Sequence, residues 1–277
     1  MRVVGGSNPL VPTIFFIVAL ILLTNDDGID AEGLRILEEC VKDLAEVVVA
    51  APDRERSAIS HSITVYSPLE IQQRDRNHYT LNGTPADCII YGLSEILSLP
   101  PDLVISGINR GANLGDDIMY SGTVAGAREA SRRGIAALAI SQAYDESPIR
   151  YRNGAKFVRL LVKNMLEKKS GGSICLNINI PVGRIRGVQI TRQGCSLHFP
   201  HFNFLEEDAA GGNDAAEGTT DRLKSEIPLD YQAITEHYIS VTPLQRDQTD
   251  YVMASLLGKD PPRLFRRLRV PGIGLIG

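Results

Sequence analysis

The sequence predicts an α/β fold with a doubly wound, mostly parallel sheet and a C-terminal appendage. Three observations carry that prediction. β-type apolar runs alternate with helix-type stripes along the chain, as in successive βαβ units. Ile17 to Leu23, Glu46 to Ala51 and Asp102 to Ser106 are short runs dominated by apolar residues, the pattern of strands buried on both faces. Each run is followed directly by a polar loop, as expected at the carboxyl edge of such a sheet.

After the first strand, Leu34, Leu37, Val41 and Leu44 form one apolar stripe on a helix from about Ala31 to Ala45. The second strand, Glu46 to Ala51, is closed by Pro52 and should lie parallel to the first through a right-handed crossover. Short strands are expected at Ile63 to Tyr66, Leu69 to Ile71 and Tyr79 to Leu81, a small excursion from the main sheet. Thr84-Pro85-Ala86-Asp87 opens the next helix, with a Thr cap, Pro in the first helical position and an acid near the dipole. Its stripe is Ala86, Ile90, Leu93 and Leu97. A Gly/Asn-rich loop, 107–122, follows the third strand and leads into a small-residue helix from Thr123 to Arg133. Further strands are expected at Ala136 to Ser141, Ser173 to Ile180, Gly187 to Thr191 and Tyr238 to Thr242. A helix over 151–168 is marked by Phe157, Leu161 and Met165, and Thr249-Asp250 caps a last one ending near Gly258. Residues 206–221 are acidic, Gly-rich and aperiodic, which reads as a mobile loop.

With 277 residues, 43% of them hydrophobic, the chain is long enough for a sizeable core, and a net charge of −4 excludes disorder as its dominant state. It has no basic block, which argues against nucleic acid as a partner. The four cysteines, at 40, 88, 175 and 195, have no zinc-type spacing and read as free thiols of a cytoplasmic protein. Thr13 to Leu23 is the most apolar stretch, but 11 residues are too few to span about 30 Å of hydrocarbon, which takes ~20. No basic n-region or A-x-A site accompanies it, so neither a membrane anchor nor a signal peptide is expected. Breaker-rich Gly5 to Pro9 and Pro12 make residues 1–17 an N-terminal extension outside the functional domain. The expected organisation is thus 1–17 extension, 18–195 core with the site, and 196–277 appendage.

Ligands of open α/β sheets sit outside the carboxyl ends of the strands. That rule selects Asn25 to Gly28, Pro52 to Ser57 and Gly107 to Asp117 as three loops converging on one edge. Their content is oxygen-rich: adjacent carboxylates, a hydroxyl and several carboxamides. Such donors suit Mg²⁺, Mn²⁺ or Ca²⁺ rather than zinc. The adjacent carboxylates of Asp26 and Asp27 would repel, and either a cation or a raised pKa on one of them relieves this. Taken alone, Asp26-Asp27-Gly28 is a turn with a helix cap; its place after the first strand, opposite two polar loops, makes it a candidate site. Asn113 and Ser121-Gly122-Thr123 belong to a Gly-rich turn or to a phosphate-facing loop that ends at a helix N-terminus. Arg54 and Arg56 are either surface charges or groups that orient Asp27 and substrate. His61 is the one histidine near the site.

Read together, these stretches resemble the survival-protein SurE family of metal-dependent nucleotide phosphatases. ILLTNDDGIDAEGLRIL, VVVAAPDRERSAISHSIT, GTPADC, PDLVISGINRGANLGDD and YSGTVAGAREA match that family's pattern in order, as do LNINIP, TRQG and YISVTPL further on. The resemblance covers about 18–195 and resumes near 230–258. It implies a Rossmann-like core and one divalent metal per subunit, Mg²⁺ or Mn²⁺, bound by Asp26, Asp27, Ser57 and Asn109. The implied reaction is hydrolysis of nucleoside 5′- and 3′-monophosphates, with short polyphosphate a further substrate of some members. Asp26 or Asp27 would assist proton transfer, and homodimers or homotetramers would form through exchanged C-terminal segments. Two departures stand out: the 17 residues before Val18, and the segment 197–229, with Leu229-Asp230 standing where the family has a Thr-Asp pair before YISVTPL. Two rival readings are a nucleotide- or metal-binding regulator without turnover and a sugar-nucleotide-dependent transferase on the same kind of sheet. Metal-stimulated phosphate release separates both from the phosphatase.

Overall fold

The computed structural model describes residues 19–145, 148–168, 174–195 and 226–259. The expectations for 1–17 and for 206–221 lie outside these residues. Two compact units divide between Leu244 and Gln245.

The first unit is built on one nine-stranded sheet: β1 (Leu20–Thr24), β2 (Glu46–Pro52), β3 (Ile71–Gln73), β4 (His78–Leu81), β5 (Leu103–Arg110), β6 (Ala137–Gln142), β7 (Cys175–Ile180), β8 (Gly187–Ile190) and β9 (Tyr238–Pro243). Their spatial order is β3-β4-β2-β1-β5-β6-β7-β9-β8. All neighbours pair in parallel except β3 with β4 and β7 with β9. The predicted α/β class with a mostly parallel sheet is the observed one.

The period of two in the central strands decides which residues face which layer. Ile21, Leu23, Val47, Val49, Leu103, Ile105, Leu138 and Ile140 point to the side covered by α1 (Glu32–Val41) and α4 (Tyr151–Glu167). Leu20, Leu22, Val48, Ala50, Val104, Ala137 and Ala139 point to the other, under α2 (Pro85–Tyr91) and α3 (Gly122–Arg132). Both faces are thus covered, which is why these strands read as apolar runs rather than alternating ones. α3 approaches closely because its sheet face is built from Val124, Ala127 and Ala130.

Several elements differ from expectation. Ile63 to Tyr66 forms no strand: Thr64 gives its backbone N–H (2.9 Å) and hydroxyl (2.7 Å) to the Asp87 carboxylate, and Ile63, Val65 and Tyr66 are exposed. The stripe predicted for α2 is reset at Tyr91, where a wider π-helical turn, Gly92–Ile96, begins. Ala86, Cys88 and Ile89 are fully buried, whereas Ile90, expected on the stripe, is only half-buried. The Thr84 cap is present as a reciprocal capping box with Asp87. β5 runs four residues past the expected end at Ser106, after a register shift, and resumes with Asn109 opposite Ser141 and Arg110 opposite Gln142. A short helix, α5 (Asp230–Thr235), packs beside β9 where no element was expected.

In the second unit, α6 (Tyr251–Lys259) starts with Asp250, whose Oδ1 accepts from Met253 N (2.9 Å). Among the described residues no helix is long and apolar enough to cross a membrane. All four cysteines are free.

Candidate active site at the carboxyl edge of the sheet

The three selected loops meet, and backbone hydrogen bonds lace them together. Arg56 N donates to Asp26 O (2.7 Å) and Ile29 N to Pro52 O (2.9 Å), which joins the loops after β1 and β2. Gly28 permits this closeness: its φ is +98°, and a Cβ there would stand 3.1 Å from the Arg54 carbonyl carbon. Arg110 N donates to Asp27 Oδ2 (3.1 Å), which joins the end of β5 to the first loop. Asn25 Nδ2 closes the turn on Gly28 O (2.8 Å).

A cleft of about 200 Å³ opens between them, and Asp26, Ser57, Asn109, Asn113 and Ser121 line it together with Asp117 and Tyr120. Asp27, Gly122 and Thr123, also expected at the site, are not among the lining residues. Thr123 is fully buried, and its hydroxyl donates to Asp26 Oδ1. Ser121 caps α3, its Oγ accepting from Val124 N (3.1 Å). Ser57 Oγ donates to Glu55 (2.6 Å), and Asn109 Nδ2 donates to Gly111 O (2.9 Å), which orients the carboxamide. The guanidinium of Arg56 goes to Asn82 O (2.5 Å) and Asp53 (3.3 Å) rather than to Asp27. His61 pairs with Glu129 on α3 (2.9 Å).

The electrostatics follow from burial. Asp26 is 5% exposed, and desolvation, reinforced by the charge of Asp27, pushes its carboxyl up to about 6 even though Thr123 hydrogen bonds favour the charged form. Asp27 is raised as well, by burial and then by Glu55, against the Arg110 N–H. Two neighbouring carboxylates held in a dry corner are costly as anions, and a cation removes the cost. Their oxygens, with a hydroxyl and a carboxamide near by, make a donor set that fits a hard divalent ion.

A further set of side chains escaped sequence reasoning. Asp230, fully buried in the first turn of α5, accepts from Gly115 N (2.8 Å), Gly194 N (3.1 Å) and Tyr231 N (2.9 Å). Gln193 Nε2 donates to Gly115 O (2.9 Å), so both sides of Gly115 are held by the distal part of the chain. Asn113 is held likewise. Its N donates to Asn179 Oδ1 (2.7 Å), its Nδ2 to Ser141 Oγ (2.8 Å), and its carbonyl accepts from Asn177 (2.8 Å) and Asn179 (3.0 Å). One signal for this was present: Asn177 and Asn179 sit two apart in LNINI, so a buried strand carries two carboxamides on one face.

Gly122 gives a sharp test of how closely α3 abuts Asp26. A Cβ there would lie 2.9 Å from both Cβ and Oδ2 of Asp26 and 3.1 Å from Ile59 Cγ2. Gly122 is the first residue of α3, so alanine there gains little of the roughly 0.5–1 kcal/mol it gains over glycine in a helix interior, and the clash in Gly122→Ala should lower the melting temperature by a few degrees. The displaced carboxylate should also lower the affinity for a divalent ion at least tenfold. Calorimetric metal titration beside thermal melting checks both.

The chain is 42% identical over 237 residues to the 5′-nucleotidase SurE of Syntrophotalea carbinolica, covering 84% of this chain and 93% of that one. It is 40% identical over 243 residues to the protein of the same name from a Thermoanaerobacter species, covering 86% and 96%. The crystal structure of the SurE protein from Aquifex aeolicus superposes with a TM-score of 0.70 at 39% identity, covering 86% of this chain and 98% of that one. The family profile described as Survival protein SurE matches residues 21–198, a span that holds all three loops of the cleft, and on that match the chain belongs to the SurE family.

Proposed function

We propose that this protein is a divalent-metal-dependent phosphomonoesterase that hydrolyses nucleoside 5′- and 3′-monophosphates, with short polyphosphate as a further substrate. The observation that carries the reading is the convergence of Asp26, Ser57 and Asn109 on one cleft, with Asp26 pushed up to about 6 by burial beside Asp27. The names of the relatives support the substrate class.

Asp26, Asp27, Ser57 and Asn109 would hold one Mg²⁺ or Mn²⁺ per subunit. When bound, the ion polarises a phosphoryl oxygen and offsets the charge that builds up during in-line displacement. Thr123 holds Asp26 in place, and the N-terminal dipole of α3 favours negative charge in front of Ser121. Asn113 and Ser121 face the phosphate from the third loop and from the helix cap. The carboxylate pair accepts a proton from the attacking water and returns it to the leaving alkoxide, so that water and ester give alcohol and inorganic phosphate. In the cell we place the protein in the cytoplasm, as a homodimer or homotetramer, acting on small nucleotides rather than nucleic acid.

The test is phosphate release from a panel of nucleoside monophosphates with Mg²⁺ and Mn²⁺, beside a chelator control. Activity that disappears with chelator and returns with metal is expected. No phosphate from any nucleotide with either metal would overturn the reading.

A further inference from the structure

Next to the cleft, at the carboxyl ends of β6 and β7, is a second and larger cavity of about 550 Å³, lined by Gln142, Tyr144, Arg150, Asn153 and Arg184 among others. β6 ends at Gln142 and β7 at Ile180, so the cavity opens on the sheet edge that carries Asp26 and Asn109. The two spaces share a partition. Arg110 lines the cleft, and its guanidinium lies over the Tyr144 ring, 5.5 Å from the centroid. Gly111 forms the rest of it: a Cβ there would stand 3.5 Å from Tyr144 Cε1 and 3.9 Å from Asn109 Nδ2. Gly111 has φ at +120°, a conformation that glycine adopts without strain, and carries no side chain beside the ring edge and the Asn109 carboxamide. Gly111 N donates to Gln142 O (3.0 Å), which ties this partition to the end of β6.

Size divides the work between the two spaces. Pockets for organic ligands start at about 300 Å³. The cleft, at about 200 Å³, suits a phosphate and an ion, whereas the cavity, at about 550 Å³, has room for a nucleoside. Its lining matches one chemically. Tyr144 is 53% exposed and offers a flat surface already stiffened by Arg110. Asn153, exposed on α4, offers a donor and an acceptor. Gln142, 4% exposed, gives its Nε2 to the Ala143, Ile180 and Pro181 carbonyls and so fixes the wall of the cavity between the ends of β6 and β7.

We propose that this cavity is the nucleoside subsite: the base stacks on Tyr144 and is read by Asn153, while the phosphate reaches across Gly111 to the cleft. The inference rests on the nucleotidase reading, and its test separates the two. Full-length protein is assayed with AMP and with ribose 5-phosphate, which has the phosphate and sugar but no base. In parallel, adenosine binding is measured by calorimetry in chelator, where no chemistry occurs. Tyr144→Ala should lower the ratio of kcat/KM for AMP over ribose 5-phosphate at least tenfold, Tyr144→Phe should restore most of it, and Asn153→Ala should lower it severalfold. Adenosine should bind wild type at least tenfold more tightly than Tyr144→Ala. An equal loss toward both substrates, with the ratio within twofold of wild type, would overturn the subsite, as would equal adenosine affinity. Absence of phosphate release from both substrates by wild type would fail the nucleotidase reading alone, and adenosine binding would still decide the cavity.

Discussion

Asp26→Asn should reduce phosphate release by at least a thousandfold and, in the same protein without metal, raise stability near pH 7. The first effect follows from removing one of two charges that hold the ion; a thousandfold corresponds to about 4 kcal/mol of activation free energy. The second follows from burial. An acid whose folded pKa is pushed up to about 6, above its ordinary 3.8, keeps its proton more readily in the folded state. That contribution to folding is fully present below the unfolded pKa and is lost as pH rises through the folded one. About two pKa units, at 1.36 kcal/mol each, make the loss about 3 kcal/mol at neutral pH. Asparagine has no charge to bury and keeps an Oδ1 to accept from the Thr123 hydroxyl. Denaturant unfolding in chelator should therefore find the variant more stable than wild type at pH 7.5, with the gap narrowing at pH 5. Added Mg²⁺ should stabilise wild type and leave the variant unmoved. A variant less stable at pH 7.5, or a gap independent of pH, would contradict the burial argument.

Asp230→Ala should cost about 3–5 kcal/mol of stability and at least a hundredfold in kcat/KM, although Asp230 is not among the residues that line the cleft. The substitution strips a fully buried acceptor from the N–H groups of Gly115, Gly194 and Tyr231, and an unsatisfied buried donor costs about 1–3 kcal/mol. Gly115 belongs to the segment between Asn113 and Ser121, so freeing it moves two residues of the lining. Asp230→Asn separates the contributions. It keeps one acceptor oxygen but turns an amide N–H₂ toward a backbone donor, and should fall between wild type and Ala in both measurements. Gln193→Ala, which removes only the bond to Gly115 O, should lose activity with little loss of stability. Urea unfolding and kcat/KM at a temperature where all variants are folded check the series. Full activity in a destabilised Asp230→Ala would limit Asp230 to a structural role.

What the sequence alone determined about this protein is what depends on local periodicity and on strand ends. The runs of β1, β2 and β5, the stripe of α1 and the Thr84 cap were legible because residues a few positions apart decide them. The three loops were legible too, since a doubly wound sheet sends the carboxyl ends of its parallel strands to one edge; Asp26 and Ser57 follow those ends, and Asn109 is the penultimate residue of β5. The tertiary structure alone decided the rest. β9 inserts between β7 and β8, so the strand that follows β7 in sequence is not its neighbour in space. The continuation of β5 to Arg110 depends on its pairing with β6 after a register shift. The grip on the third loop comes from Gln193 and Asp230, 78 and 115 residues away from Gly115 in the chain. No window of sequence encodes such pairings. They exist because a buried peptide N–H or carbonyl must find a partner, and which partner is within reach is settled only once the sheet has assembled.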